Sequence, residues 1–182
     1  MSIATKDIRN VVSLGHSGSG KTTFIETMLF ESGVIPRRGS VENHNTISDF
    51  TDLEHERENT LYSHLMHVKW HNNKINIIDT PGFDDFIGEV VSSLKVADTA
   101  VILLNAASGV EVGTEIVWEY VQNYQTPAFF VINQMDQPKA DFETTLEQAV
   151  NRFGNKVIPI QYPYNSGEKF NSIIDVLLMT MY

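Results

Sequence analysis

The sequence predicts a three-layer α/β domain whose sheet is mostly parallel. Apolar, β-branched runs alternate with segments of helical apolar spacing, which is typical of this class. A glycine-rich turn joins the first such run to the first helical segment, and polar motifs follow the later runs. With 182 residues the chain is long enough for one domain with a substantial core. Ligands in such sheets bind at the carboxyl ends of the strands, where these motifs fall.

Apolar spacing also predicts the individual elements. The predicted strands are residues 8–14, 61–70, 74–78, 97–105, 127–133 and 157–160. The predicted helices are residues 21–30, 111–125, 141–152 and 170–179. A tight turn at 71–73 makes the second and third strands an antiparallel pair, so one strand of the sheet runs against the others. Residues 32–59 show no sustained period, and we predict a long loop of the functional kind there.

Composition excludes several classes of function. The chain carries 13 Lys+Arg against 23 Asp+Glu, and this acidity predicts weak direct binding to nucleic acid. The absence of cysteine excludes disulfides and thiolate zinc sites, and it fits a reducing cytoplasm. The first ten residues do not resemble a signal peptide, and no apolar run is long enough to cross a bilayer. We therefore expect a monomeric, cytoplasmic domain without a membrane partner.

Residues 15–22 read GHSGSGKT and fit the phosphate-loop pattern GxxxxGK[ST]. Glycines allow the backbone to point its N–H groups at phosphate oxygens, and the following helix adds the positive end of its dipole. Lys21 would reach the β- and γ-phosphates, and the Thr22 hydroxyl would coordinate magnesium. The strand before and the helix after this motif predict the fold of a P-loop NTPase. The predicted phosphate-binding residues are His16, Ser17, Gly18, Ser19, Gly20, Lys21, Thr22 and Thr23.

Two further positions point to magnesium and the γ-phosphate. Asp79 begins the sequence Asp-Thr-Pro-Gly after a predicted strand, where a carboxylate can hold magnesium through a water. The Gly82 N–H can meet a γ-phosphate and release it after hydrolysis. Thr60 lies at the end of the long loop, where its hydroxyl can complete the magnesium coordination. The predicted metal-binding residues are therefore Thr22, Thr60 and Asp79.

A third motif, Asn133-Gln134-Met135-Asp136, follows the predicted strand 127–133. The Asp136 carboxylate can accept hydrogen bonds from N1 and N2 of guanine, which adenine does not offer. We therefore predict that Asn133, Gln134 and Asp136 select guanine. A P-loop kinase or ATPase acting on a small molecule is the alternative, and competition of ATP against GTP distinguishes the two.

The three motifs, in this order, resemble the translational GTPases, and the best match is elongation factor G and its paralogues. Residues 39–49 and 56–60 resemble that family's first switch. Residues 157–182 resemble the start of the insertion within its GTP-binding domain, so residues 1–182 would be a fragment of that domain. The resemblance implies GTP or GDP with Mg²⁺ as ligands, GTP hydrolysis, and the ribosome as partner of the full-length protein.

Phe83 departs from this resemblance, because the family has a histidine there that helps to orient the attacking water. A phenyl ring cannot hydrogen-bond water or stabilise charge at the γ-phosphate. We therefore expect GTP binding with slow hydrolysis, and a module that binds GTP without turnover is an alternative function. In the other alternative, Asp84 or Asp85 supplies the missing water contact.

Gln134 is a second departure, because the family usually has lysine at this position. Glutamine keeps part of the apolar stem but loses the charge that reaches the phosphate loop. We expect a weaker nucleotide affinity than lysine would give. The family's Ser-Ala pair, whose backbone touches the guanine oxygen, has no equivalent before Tyr182. We expect that pair in a later part of a longer protein.

Overall fold

The computed structural model describes residues 3–48, 51–57, 60–82 and 86–182. Its strands are β1 (Ile8–Gly15), β2 (His64–Trp70), β3 (Asn73–Asp79), β4 (Thr99–Asn105), β5 (Ala128–Asn133), β6 (Gln161–Pro163), β7 (Ile173–Asp175) and β8 (Thr180–Met181). Its helices are α1 (Lys21–Glu31), α2 (Asp52–Arg57), α3 (Ile87–Leu94), α4 (Val112–Asn123) and α5 (Phe142–Phe153). Single 3₁₀ turns lie at Thr5–Asp7 and Gly167–Lys169. Among these elements, no helix is long and apolar enough to span a bilayer.

The main sheet confirms the predicted fold class. Its strand order is β2-β3-β1-β4-β5, and β1 pairs in parallel with both β3 and β4. β5 pairs in parallel with β4, whereas β2 is antiparallel to β3. The β2–β3 turn has left-handed residues at His71 (φ 43°) and Asn72 (φ 68°), as a tight hairpin requires. The first five predicted strands lie within three residues of their observed bounds.

Helices cover both faces of this sheet, which gives the predicted three layers. Neighbouring residues of a strand point to opposite faces, and β3 shows this directly. Ile77 packs with Ile25 and Leu29 of α1 on one face. Ile78 belongs to the cluster on the other face that includes residues of α3 and α4. α5 covers that second face beside α4, with Phe153 stacked on Phe130 of β5 at a ring distance of 4.8 Å.

The chain after α5 differs from its prediction. β6, β7 and β8 form a small antiparallel sheet, here called the small sheet, so the predicted helix at 170–179 is wrong. Its apolar residues have helical spacing, but Ile173 and Ile174 pair with β6. The Asp175 carboxylate then accepts hydrogen bonds from the backbone of Leu177 and Leu178, which holds a turn in place of a helix. The predicted strand at 157–160 is also absent among these described residues, because pairing begins only at Gln161.

Two helices were not predicted. α3 follows the Asp-Thr-Pro-Gly motif and buries Val90 and Leu94 against the sheet. α2 lies inside the predicted long loop, and at six residues it is too short for its periodicity to be recognised. Because α2 immediately precedes the segment that leads to Thr60, it bears directly on the site.

Candidate nucleotide-binding site

The phosphate loop connects β1 to α1 and wraps around the Lys21 side chain. Lys21 Nζ donates to the backbone carbonyls of Gly15 (3.1 Å) and His16 (3.0 Å). Its side chain is buried, so these carbonyls replace water around the ammonium. Gly20, the residue before α1, has φ 87°, and a Cβ there would lie 2.5 Å from Asn133 Nδ2. The loop therefore needs glycine at this position both for its backbone conformation and for contact with β5.

Three oxygen-bearing side chains meet beside the start of α1. The Thr22 hydroxyl donates to Asp79 Oδ2 at 2.9 Å, and it lies 3.0 Å from the Thr60 hydroxyl. All three side chains are buried. Two hydroxyls and a carboxylate are hard oxygen donors of the kind that Mg²⁺ prefers. The structure places these three residues, from α1, the long loop and β3, next to one another, and their binding of magnesium stays a prediction.

Gly82 lies against the phosphate loop. A Cβ at this residue would fall on Lys21 Nζ and would come within 2.8 Å of Ser17 Cα and N. This close approach brings the segment after β3 to the cleft of about 300 Å³ that the phosphate loop borders. The cleft is lined by Ser17, Gly18, Gly20, Lys21, Thr22, Thr23, Val41, Glu42, Thr60, Gly82 and Gln134.

The predicted guanine motif contacts the phosphate loop through two amides. Asn133 Nδ2 donates to the Ser19 carbonyl at 2.9 Å, and Gln134 Nε2 donates to the Gly18 carbonyl at 3.0 Å. Met135 is buried, whereas Asp136 is exposed on the loop and does not line the phosphate cleft. A second cavity of about 280 Å³ adjoins this motif and shares Gln134 as a wall. Its lining residues are Asn105, Ala107, Gln134, Gln137, Pro138 and Lys139.

The other predicted residues divide between the cleft and its surroundings. Thr23 is exposed at the start of α1 and lines the cleft. The His16 side chain instead lies near α4, with its Nε2 3.6 Å from a Glu111 carboxylate oxygen. A Cβ at Gly113 would lie 2.6 Å from His16 Nδ1, so this helix approaches the imidazole closely. His16 does not line the cleft, and its backbone carbonyl accepts the hydrogen bond from Lys21 Nζ. Phe83, Asp84 and Asp85 lie outside the described residues.

Sequence reasoning missed two buried glutamates that hold the long loop. Glu26 of α1 is 1% exposed and accepts hydrogen bonds from the backbone N–H groups of Gly39 and Ile47. The loop therefore folds back onto the helix that begins at the phosphate loop. Glu26 lies between Ile25 and Thr27 in the predicted helix, and no sequence pattern distinguishes it from an exposed glutamate.

Glu54 of α2 is fully buried and binds the backbone directly after Thr60. Its carboxylate accepts hydrogen bonds from Thr51 Oγ1 (2.7 Å), Leu61 N (3.1 Å) and Tyr62 N (3.4 Å). It also contacts His64 Nε2 at 2.8 Å. Burial raises its pKa, but the hydrogen bonds from Thr51, His64 and Leu61 outweigh burial and lower the pKa from 4.5 to about 2. The carboxylate is therefore ionised at neutral pH.

The small sheet supports the Asn133–Asp136 motif from behind. Tyr162 of β6 and Phe170 pack against a cluster that contains Met135 and Phe142. The Gly167 N–H donates to the Met135 carbonyl at 2.8 Å. The Tyr162 hydroxyl also donates to the Glu143 carboxylate of α5, which raises the pKa of Tyr162. The conformation of the motif thus depends on residues far beyond it in the chain.

Comparison with known proteins agrees with this geometry. The family model of the elongation factor Tu GTP binding domain matches residues 6–180. The chain is 39% identical over 177 residues to elongation factor G of Mycoplasma genitalium, covering 97% of this chain and 26% of that protein. It is 39% identical over 179 residues to the mitochondrial ribosome-releasing factor 2 of Meyerozyma guilliermondii, covering 96% of this chain and 21% of that protein.

A solved structure gives the same result for the fold. The crystal structure of a Thermus thermophilus protein matches with a TM-score of 0.91 and 33% identity, covering 96% of this chain and 26% of that one. The chain thus spans about a quarter or less of the length of the relatives it matches. With the family model matching nearly its full length, the chain belongs to the elongation factor Tu GTP binding domain family, among relatives that include elongation factor G.

Proposed function

We propose that this domain binds GTP and GDP with Mg²⁺ and acts as a nucleotide-gated switch. The observation that carries the proposal is a cleft of about 300 Å³ that Lys21, Thr22 and Thr60 line together, with the Thr22 hydroxyl in contact with both Thr60 and Asp79. The buried ammonium would face the β- and γ-phosphates. The three oxygens would hold magnesium, which would neutralise phosphate charge.

The proposed switch depends on the two segments that carry Thr60 and Gly82, the expected partners of the γ-phosphate. Thr60 ends the loop that Glu26 and Glu54 hold, and Gly82 follows β3 against Ser17. When the γ-phosphate is present, contacts at Thr60 and Gly82 would order the segments 32–60 and 79–86. Loss of the γ-phosphate would release both segments.

Nucleotide binding by the 182-residue chain tests the proposal directly. We expect GDP and GTP to bind with Mg²⁺, and about a 100-fold excess of ATP to leave GDP bound, because adenine lacks the donors that Asp136 would recognise. Calorimetry with GDP, followed by ATP competition, measures this. A chain that binds neither GDP nor GTP at millimolar concentration contradicts the proposal, and preference for ATP would favour the P-loop kinase or ATPase function.

We further propose that GTP hydrolysis is slow, because Phe83 takes the place of the histidine expected from the resemblance. In the limit this gives a second candidate function, a module whose GTP occupancy alone sets the behaviour of the longer protein. The GTPase activity of the family supports GTP hydrolysis, and our proposal concerns the rate of that hydrolysis.

Replacing Phe83 with histidine should raise the single-turnover rate of GTP hydrolysis by about 100-fold, since a positioned water contact is typically worth that much. The measurement uses the full-length protein with ribosomes, and Phe129→His, an exposed change outside both proposed switch segments, is the matched control. If the Phe83→His protein is no faster than the parent, then Phe83 does not limit hydrolysis. In that case Asp84 and Asp85 become the residues to test.

In the longer protein, the switch would act on the ribosome, in translocation or a related step. The relatives named elongation factor G and ribosome-releasing factor 2 support this assignment. A cytoplasmic location and a monomeric state of the isolated domain belong to the same proposal. The acidic composition supports a ribosome contact made mainly by other parts of the longer protein.

A further inference from the structure

A chain of side-chain amides connects β4 with the phosphate loop. Asn105, the last residue of β4, lies directly beside Asn133 in the sheet register. Asn105 Nδ2 donates to Gln134 Oε1 at 2.6 Å, and Gln134 Nε2 donates to the Gly18 carbonyl at 3.0 Å. Gln134 has a left-handed backbone (φ 59°), which turns its side chain out of the strand direction. Asn105 is thus linked to the phosphate loop through Gln134.

The orientation of the Asn105 and Gln134 amide groups is fixed by their other hydrogen-bond partners. Asn105 Oδ1 accepts from the backbone N–H groups of Ala107 (2.8 Å) and Ser108 (3.3 Å), so its NH₂ group must face Gln134. At the other end the Gly18 carbonyl can only accept, so the NH₂ group of Gln134 must face it. Each amide therefore has one allowed orientation, and reversing either one would place like groups against each other.

We propose that Asn105 is a positioning residue for the phosphate loop and acts by fixing the orientation of the Gln134 amide. The proposal rests on the nucleotide-binding function proposed above, since it assigns a role within the same site. Asn105 holds the oxygen of Gln134, and the NH₂ group of Gln134 then holds the Gly18 carbonyl. Gly18 itself lines the cleft, so the bond to its carbonyl holds the phosphate loop at the cleft wall.

This arrangement makes positions 105 and 134 a matched pair. A lysine at 134 could donate to Gly18, but its ammonium would meet the NH₂ group of Asn105, donor against donor. An aspartate at 105 would keep the bonds from Ala107 and Ser108, but its second oxygen would face Gln134 Oε1, acceptor against acceptor. With both changes, the ammonium would donate to Gly18 and to the new carboxylate. The gain in affinity expected from lysine at 134 therefore requires aspartate at 105.

A double-mutant cycle on the 182-residue chain tests the pairing. The variants are Asn105→Asp, Gln134→Lys and the combination, with Asn155→Asp, Gln122→Lys and their combination as controls at exposed positions. We expect each single change at 105 or 134 to weaken GDP binding by about 5- to 30-fold. The combination should bind GDP at least as tightly as the parent. The control changes should leave affinity within about 2-fold and should be additive.

Recovery in the combined variant separates pairing from general damage, because a merely structural loss at either position would add rather than cancel. Additive losses in the combined variant, or a Gln134→Lys chain that binds more tightly than the parent, would overturn the proposal. The same variants are also compared by urea unfolding without nucleotide. We expect each single change to lower the midpoint of unfolding and the combination to restore it. That readout keeps the two proposals distinct. A parent that fails to bind GDP contradicts the function, while the unfolding cycle still decides the pairing.

Discussion

Replacing Lys21 with alanine is expected to weaken the binding of GDP and GTP by at least about 100-fold. Charge-assisted hydrogen bonds contribute about 1.5–3 kcal/mol each, and the ammonium would make more than one to the phosphates. The loss has a second source in the protein itself. The Gly15 and His16 carbonyls that Lys21 Nζ contacts would lose a buried donor, so the loop would also hold its shape less well. Calorimetry with Mg²⁺ present measures the affinity.

Lys156→Ala is the matched control, because Lys156 is exposed and remote from the phosphate loop. It should leave the affinity unchanged within error. Lys21→Arg keeps the charge but places a larger, planar group in a buried position, and we expect it to recover little binding. Tight GDP binding by the Lys21→Ala chain would mean that nucleotide phosphates do not occupy the cleft described above.

Glu54→Gln is expected to destabilise the domain by on the order of 3 kcal/mol at pH 7. This figure corresponds to the lowering of the Glu54 pKa from 4.5 to about 2, at about 1.4 kcal/mol per pKa unit. The amide would also place an NH₂ group against donors, because both carboxylate oxygens accept hydrogen bonds from the protein. Urea denaturation of parent and variant measures the difference in the free energy of unfolding.

The pH dependence of that difference identifies its cause. A folded pKa below the unfolded value means that the stabilisation is complete above about pH 5 and is lost as the pH falls from about 4.5 toward 2. The difference between parent and Glu54→Gln should shrink over that window. Glu56→Gln, an exposed change in the same helix, should have little effect at any pH. A difference that stays constant down to about pH 2.5 would show that charge on Glu54 is not responsible.

The main sheet could be predicted because each of its strands carries its own signal. β1 and β4 are apolar runs with several buried residues, β5 is a half-buried apolar run, and a polar motif follows each of β1, β3 and β5. The predicted site residues Thr22, Thr60 and Asp79 meet for the same reason, since two of them belong to motifs at strand ends. Local pattern and global fold agree in this half of the chain.

The small sheet could not be predicted in the same way. Its strands are two or three residues long, which is below the length at which alternation can be told from helical spacing. Asn105, Glu26 and Glu54 were missed for a different reason. Each is a common polar residue whose role comes from partners far along the chain or in another element, such as Gln134 for Asn105 and Gly39 for Glu26. Only the folded structure reveals those pairings.

The contact between Gly167 and Met135 also determines where the domain can be cut. A shortened chain that stopped after α5 would retain every residue predicted to touch the nucleotide, yet it would lose the donor to the Met135 carbonyl and the aromatic rings of Tyr162 and Phe170. If Asp136 recognises guanine as proposed, the smallest piece that selects guanine over adenine would therefore extend past α5 to include Tyr162, Gly167 and Phe170. Transfer of the proposed nucleotide-binding site to another scaffold would require β6, β7 and β8 as well as the motifs.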